Sequence, residues 1–208
     1  MNPGKRHAAL LIALLASGLS AHADERKIDP TFLYRDSTAA KAKQSDLTTA
    51  SCHYKPLFGQ GDADTSVVVG IALYGEAVVD PNGACAPVQY PDEDQVYVVL
   101  DGKAAVKYGT ETVSLNKEDY LYLPSTLPHT LSNSSDSPLT VVVMGFNTRG
   151  FEKTPPPPHP LTANIEDVPT GLVSGHPSST LYRLLMGDVE SKRDRLAAGH
   201  VLTSLFLM

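Results

Sequence analysis

Tryptophan is missing from this chain of 208 residues, and cysteine occurs only twice. Two cysteines are too few for a disulfide scaffold or for a zinc site built from thiolates. Basic residues are also scarce, because 17 Lys and Arg stand against 23 Asp and Glu, which gives a net charge of −6. Nucleic-acid binding requires clustered positive charge, so this balance argues against a nucleic-acid partner.

The first residues are ordered like a secretory signal. Lys5 and Arg6 precede an apolar run at 8–19, and small residues follow as far as Ala23. The run is shorter than the roughly 20 residues that a membrane-spanning helix needs. We therefore expect a signal peptide at 1–23, whose removal would leave a net charge of −8 and no membrane association. The expected location is periplasmic or extracellular.

Export also affects whether the two cysteines can form a disulfide. In an oxidising compartment Cys52 and Cys85 can pair, whereas in the cytosol they would stay reduced. The alternative, two buried free thiols, stays open at this stage, because a disulfide also requires the two Cα atoms to lie close together.

The middle of the chain is a series of short runs rich in Val, Tyr and Leu, separated by turn residues, and the whole chain contains 15 Gly and 16 Pro. Strands are predicted at 66–74, 95–100, 104–108, 112–115, 120–123, 129–133 and 139–146. Many short strands at near-regular spacing indicate an all-β sandwich, jelly roll or barrel. A parallel βαβ architecture is disfavoured because no long amphipathic helix intervenes.

The flanking segments divide the chain further. Residues 24–50 are polar with weak helical periodicity around 37–47, which predicts an N-terminal arm or a short helix before a barrel at 51–150. Four consecutive prolines at 155–158 favour an extended chain, so 151–180 is predicted to be a linker.

The last segment, 181–208, resembles the start of the barrel. The six residues from Tyr182 match the six from Tyr54, with identical Tyr, Leu and Gly, and an apolar run follows both copies. This similarity predicts the beginning of a second, incomplete repeat. The alternative is that the tail completes the first barrel.

The region 67–146 also carries a family resemblance. Pro124, His129 and Asn133 stand at the spacing of the second cupin motif, and Gly102 closes a stretch spaced like the first. The chain thus resembles the cupin superfamily, which implies a cupin-type double-stranded β-helix, a jelly-roll barrel. In that family the two motifs supply three histidines and a glutamate to one metal ion.

Most of these ligands are replaced here. Gln95 occupies the glutamate position, and the histidine positions hold no histidine, with Gln89 among them in one spacing and Tyr90 in the other. His129 is the one retained ligand. The resemblance therefore implies either no cofactor or a weakly held Fe, Mn, Ni or Zn ion on His129 and Gln95. Gln89, Tyr90, Gln95 and His129 are predicted to contact a small-molecule ligand.

Other groups near this motif have plainer interpretations. The acidic run Asp92, Glu93 and Asp94 is predicted to be a solvated turn, and His53 a surface loop residue. In 120–123 the two tyrosines and the two leucines point to opposite faces, and which face is internal stays open.

The functional hypothesis is an exported cupin-domain protein with a degenerate metal site. It would act as a small-molecule-binding or structural barrel of a two-cupin protein, and as a homodimer if it follows the family habit. The alternative is a metal-dependent enzyme of the dioxygenase, decarboxylase or isomerase type that acts on a small organic metabolite through His129.

Overall fold

The computed structural model describes residues 33–59, 70–151, 157 and 159–186, together with the backbone of 205–207. The predicted signal peptide at 1–23, the first part of the arm and most of 187–208 lie outside the described residues. The described part belongs to one unit that begins at Leu33. In this part of the chain no helix is long and apolar enough to cross a membrane.

Antiparallel strands account for nearly all of the regular structure. They are β1 (Cys52–Gly59), β2 (Ile71–Val79), β3 (Glu93–Asp101), β4 (Ala104–Tyr108), β5 (Glu111–Leu115), β6 (Asp119–Leu123), β7 (His129–Ser132), β8 (Leu139–Asn147), β9 (Leu161–Asn164), β10 (Thr170–Leu172), β11 (Leu181–Met186) and β12 (Leu205–Leu207). A 3₁₀ turn, Ile165–Asp167, follows β9.

The strands form a six-stranded sheet in the order β1-β2-β8-β3-β6-β9, a three-stranded sheet β5-β4-β7, and a small sheet β10-β11-β12. The first two sheets enclose the main core, as in a jelly-roll barrel. The predicted all-β fold class is confirmed.

Strand β1 was not predicted, because Pro56 interrupts its sequence. A proline is tolerated where a strand lies at the edge of a sheet or forms a bulge. Strand β1 is the edge strand of its sheet, and its register with β2 shifts between Pro56 and Phe58. Strand β2 begins at Ile71 rather than at 66, since residue 70 is a turn and 66–69 lie outside the described residues.

The predicted arm differs from expectation in its second half. No helix forms at 37–47, where the chain instead turns and makes a single β-bridge between Lys43 and Tyr54. Leu47 is 1% exposed and belongs to the inner core. The last residues of the arm are therefore part of the barrel, because they bury an apolar side chain in it.

The segment predicted as a linker is also structured in part. Strand β9 pairs with β6 and extends the six-stranded sheet, so 161–164 is a strand rather than a connector. Its sequence of 4 residues, Leu-Thr-Ala-Asn, is too short to predict a strand. Thr162 anchors this strand by donating a hydrogen bond to the Tyr120 carbonyl.

Strand β11 packs on the outer face of the same sheet. Leu185 and Met186 are buried there against Tyr120 and Tyr122, and the Tyr120 hydroxyl donates a 2.6 Å hydrogen bond to the Leu185 carbonyl. The two tyrosines of β6 thus face this outer layer, whereas Leu121 and Leu123 of the same strand face the barrel interior. Leu185 and Met186 are therefore part of this outer layer.

Cys52 and Cys85 form a disulfide with a Cα–Cα distance of 4.9 Å. Both sulfur-bearing residues are buried, at 0% and 3% exposure. The bond joins the start of β1 to the loop that carries Val88 and Tyr90 toward β7, so it helps to hold that loop against the barrel.

Candidate functional site

Strand β3 directs a row of polar side chains into one end of the barrel. Alternation along the strand turns Gln95 and Tyr97 inward, while Val96 packs in the outer layer. Gln95 and Tyr97 are both fully buried. These buried polar groups need partners inside the barrel, because water does not reach them.

His129 supplies part of that partnership from the opposite sheet. It is the first residue of β7 and is 3% exposed. Its Nε2 atom lies 3.1 Å from Gln95 Oε1 and 3.2 Å from the Tyr97 hydroxyl. Its Nδ1 atom lies 2.9 Å from the Leu127 carbonyl, an acceptor, so Nδ1 carries a proton. Burial lowers the pKa of His129, although the bond to Leu127 opposes the shift.

Glu93 extends this cluster toward the end of the barrel. The Gln95 side-chain amide donates a 2.5 Å hydrogen bond to Glu93 Oε1. Burial raises the pKa of Glu93 to about 7; the bond from Gln95 opposes this, and the carboxylates of Asp46 and Asp94 add to it. A carboxyl group with this pKa can gain or lose a proton near neutral pH.

The prediction that the acidic run is a solvated turn is therefore wrong for two of its members. Glu93 opens β3 on the inward face, two residues before Gln95. Asp94 is fully buried and accepts hydrogen bonds from the Tyr122 hydroxyl at 2.8 Å and from the Ser125 amide at 2.7 Å. Buried hydrogen-bond donors offset the cost of removing this carboxylate from water.

Three tyrosines surround the polar row. The ring centroids of Tyr97 and Tyr90 lie 5.7 Å and 6.1 Å from that of His129. Tyr54 reaches in from β1, and its buried hydroxyl has no hydrogen-bond partner among the described residues. Burial raises the pKa of each of these three phenols, and Glu93 and Asp46 raise it further. They are therefore neutral hydrogen-bond donors at physiological pH.

Two glycines make room for this arrangement. A Cβ atom at Gly75 would lie 2.7 Å from the Tyr54 hydroxyl, and one at Gly145 would lie 2.1 Å from Glu93 Oε1. Gly145 pairs with Leu73, two residues from Gly75 on β2. The inner wall is thus bare of side chains where Tyr54 and Glu93 lie against it.

The predicted ligand contacts are brought together only in part. Gln95, His129 and Tyr90 lie at this end of the barrel, but Gln89 is exposed and donates its amide hydrogen to the Thr126 carbonyl at 2.7 Å. Gln89 therefore braces a loop outside the cluster. His53 points outward from β1, since its neighbour Tyr54 points inward, and it pairs with Asp80 at 3.3 Å.

The side chains at this end do not fit a transition-metal ion. A metal in a cupin requires several imidazole or carboxylate donors converging on one point. Here the single imidazole directs Nε2 at Gln95 and Tyr97, and the Gln95 side chain separates it from Glu93. Among the described residues, no group of three His, Cys, Asp or Glu side chains is placed to hold a metal. The predicted pair His129 and Gln95 is instead hydrogen-bonded.

A groove of about 810 Å³ lies between the residues before β1 and strands β1 and β2, and Tyr54 is among its lining residues. Arg35, Lys41 and Lys43 line it together with Asp36, so its wall is mainly basic. Arg35 donates a hydrogen bond to the Leu57 carbonyl, and its guanidinium lies 5.0 Å from the Phe58 ring centroid. The groove therefore differs in charge from the interior cluster.

Comparison with known structures agrees with this fold. A protein of Pseudomonas aeruginosa described as glyoxylate-induced has a TM-score of 0.54 at 12% identity, over 70% of this chain and 60% of its own. The Ylba protein of E. coli has a TM-score of 0.52 at 13% identity, over 70% of this chain and 53% of its own. This chain thus spans little more than half of each.

A predicted oxalate decarboxylase from Thermotoga maritima is also similar, with a TM-score of 0.48 at 12% identity, over 55% of this chain and 99% of its own. At 12% and 13% identity, the likeness to the first two structures concerns the fold. No curated protein sequence matches the chain. Residues 75–145, which run from β2 to β8 and include β3 and His129, match the family described as Cupin domain. This part of the chain belongs to the cupin superfamily.

Proposed function

We propose that this cupin domain binds a small polar organic molecule inside its barrel without the help of a metal ion. The observation that carries the proposal is the Tyr54 hydroxyl, which is buried beside polar groups and has no hydrogen-bond partner among the described residues. A buried unpaired hydroxyl costs about 1–3 kcal/mol. A ligand atom that accepts its hydrogen bond would recover this cost.

The neighbouring groups support the same role. Tyr97, Gln95 and His129 present hydrogen-bonding atoms within one buried cluster, and Glu93 adds a carboxyl group. A few converging polar groups in an otherwise apolar interior are typical of small-molecule sites. The apolar wall around them is formed by side chains such as Val143 and Leu123.

A thermal-shift screen of small polar organic molecules in the presence of a metal chelator tests this proposal. We expect a saturable rise in melting temperature with at least one compound class. The Tyr54→Phe variant should weaken that response. Tyr108→Phe is the matched control, because it removes another buried hydroxyl without a partner, but one whose pKa responds to Glu111 rather than to Glu93. The absence of any saturable shift would contradict the proposal.

The second candidate is the metal-dependent enzyme acting through His129. Its support is the placement of His129 on the inner wall, beside the residue at the family glutamate position, Gln95. Metal analysis of the purified protein separates the two candidates. Stoichiometric iron, manganese, nickel or zinc that is lost in His129→Ala would favour the enzyme.

Export to an oxidising compartment is part of the proposal. The Cys52–Cys85 disulfide supports it, since structural disulfides are rare in the reducing cytosol. Fractionation of the producing cell, with mass spectrometry of the N-terminus, tests it. The proposal predicts a chain that starts at Asp24 outside the cytoplasm, whereas an uncleaved cytosolic chain would contradict it.

We also replace the two-barrel hypothesis by one in which the tail completes this barrel. The burial of Leu185 and Met186 on the outer face of the main sheet supports this version. Homodimer formation stays a prediction, and light scattering of the purified protein tests it.

A further inference from the structure

We propose that the ligand of the barrel interior is a small organic ammonium ion. The inference rests on the proposed function, because it names the ligand class of the same site. Three observations carry it: the sign of the charges around the site, the tyrosine rings that line it, and the unpartnered hydroxyl of Tyr54.

The charged groups that shift the pKa values of the buried tyrosines at this end of the barrel are negative. Asp46 and Glu93 raise the pKa of Tyr54, Tyr90 and Tyr97 after burial itself. Asp46 and Asp94 similarly raise the pKa of Glu93. In the described part of the chain no lysine or arginine opposes them in the buried cluster.

The nearest lysine in the sequence illustrates this separation. Lys55 follows Tyr54 on β1, points to the other face of the sheet and pairs there with Glu76 at 3.8 Å. His129 does not supply a positive charge either, because burial lowers its pKa. A ligand that carries positive charge would therefore be attracted to this cluster, whereas an organic acid would be repelled by Glu93 and find no cation to pair with.

The rings favour an organic cation in particular. The faces of neutral aromatic rings attract a cation, and quaternary ammonium groups are recognised by cages of such rings. Tyr54, Tyr90 and Tyr97 come from three different segments and converge on the Glu93 end of the barrel. A hydrated metal ion would find few ligands here, since the phenols stay protonated and Glu93 is the one carboxyl group that the buried strand β3 places beside them.

The hydroxyl of Tyr54 adds a polar contact. It stands over Gly75 on β2, and the Glu93 carboxylate stands over Gly145 on the adjoining strand β8. An ammonium ion with a hydroxyl or ether oxygen could contact the carboxylate with its charge and accept a hydrogen bond from Tyr54. One ligand would then pair with the charge of Glu93 and give the Tyr54 hydroxyl a hydrogen-bond partner.

Isothermal titration of the purified protein with tetramethylammonium chloride at pH 8 tests the proposal. Sodium chloride at equal ionic strength serves as the salt control. We expect saturable binding that weakens about tenfold or more in Glu93→Gln, because the variant removes the charge but keeps the shape. Glu76→Gln, which removes a carboxylate from the outer face of the same sheet, should bind as tightly as the wild type.

Three further probes make the outcomes distinct. Neopentyl alcohol is a neutral molecule of similar size, acetate is an organic anion, and magnesium chloride is a metal cation. If neopentyl alcohol or acetate binds with a dependence on Tyr54 while tetramethylammonium does not, the ammonium proposal fails and the binding function stands. If magnesium binds in place of tetramethylammonium, the ammonium proposal also fails. If neither these probes nor the polar screen shows binding, both proposals fail. Circular dichroism of each variant establishes that it is folded.

Discussion

Gln95 and His129 meet inside the barrel with the glutamine oxygen 3.1 Å from the histidine Nε2 atom. Since Nδ1 of the same ring donates to the Leu127 carbonyl, this contact is a hydrogen bond when Nε2 also carries a proton. The other end of the Gln95 amide donates to Glu93. This amide orientation therefore requires a protonated ring beside an ionised Glu93, a state that burial disfavours because it lowers the pKa of His129.

A second arrangement holds the same number of protons. If the Gln95 amide turns over, it donates to a neutral His129 and accepts from a protonated Glu93. Burial favours this uncharged form, because it lowers the pKa of His129 and raises that of Glu93. One glutamine thus links two titrating groups whose protonation states depend on each other.

The raised pKa of Glu93 predicts a pH dependence of stability. The folded carboxyl group titrates at about 7 and the unfolded one at 4.5. The folded chain therefore keeps this proton to a higher pH than the unfolded chain does. The stability that the protonated carboxyl group contributes is complete below pH 4.5 and is lost as the pH rises through 7. Glu93→Gln should gain about 3 kcal/mol relative to wild type between pH 4.5 and 8.

Urea unfolding of both proteins across this range measures the difference. The contribution of His129 to stability depends on pH in the opposite direction. Its pKa is lowered, so this contribution is present above pH 6.5 and is lost as the pH falls below it. Parallel pH profiles of the wild type and the variant would show that Glu93 is not perturbed.

The buried Asp94 predicts a contrast between two tyrosine substitutions. Tyr122→Phe removes a hydrogen bond to a fully buried carboxylate, which should destabilise the protein by about 1–3 kcal/mol. Tyr108→Phe removes a buried hydroxyl that has no partner among the described residues, so it should be neutral or slightly stabilising. Denaturant unfolding of the two variants checks this, and equal losses would contradict it.

The disulfide predicts a large dependence on redox state. Cys52 and Cys85 are separated by 33 positions, and closing a loop of that length stabilises a fold by roughly 3–4 kcal/mol. We expect the Cys52→Ala/Cys85→Ala variant to lose that much free energy of unfolding. Added reductant should not change the stability of this variant. Reduced wild-type protein should unfold near the same denaturant concentration as the variant. An oxidised wild type no more stable than the variant would exclude this role.

The packing of β11 predicts that the tail stabilises the main barrel. Leu185 is 5% exposed in the outer layer, so Leu185→Ala should cost about 2–4 kcal/mol. Leu181 on the same strand is 47% exposed, and Leu181→Ala should change stability by less than about 0.5 kcal/mol. A single unfolding transition, shifted only in the first variant, is expected. Unchanged stability in Leu185→Ala would mean that this segment does not support the barrel.

The fold was largely predictable because its central strands show strong local signals. Runs such as Ala104–Tyr108 alternate between buried and less buried side chains and end at a Tyr-Gly turn. Strand β1 contains Pro56, and β9 has only 4 residues, too few to establish such a pattern. Both depend on pairing with strands far away in the sequence, which local patterns do not reveal.

The site was predictable where it followed the family spacing and was missed where it depended on strand boundaries. His129 and Gln95 were placed together correctly. Glu93 was assigned to the solvent because β3 was expected to start at Gln95, although alternation carried back two residues puts Glu93 on the same face as Gln95. Tyr54 could not be placed, since its position depends on β1 reaching the barrel.

Native mass spectrometry of the purified, folded protein tests the central claim most directly. The account predicts a chain without stoichiometric metal that takes up one tetramethylammonium ion, an adduct that Glu93→Gln fails to retain. A stoichiometric metal ion that is lost in His129→Ala would contradict the account.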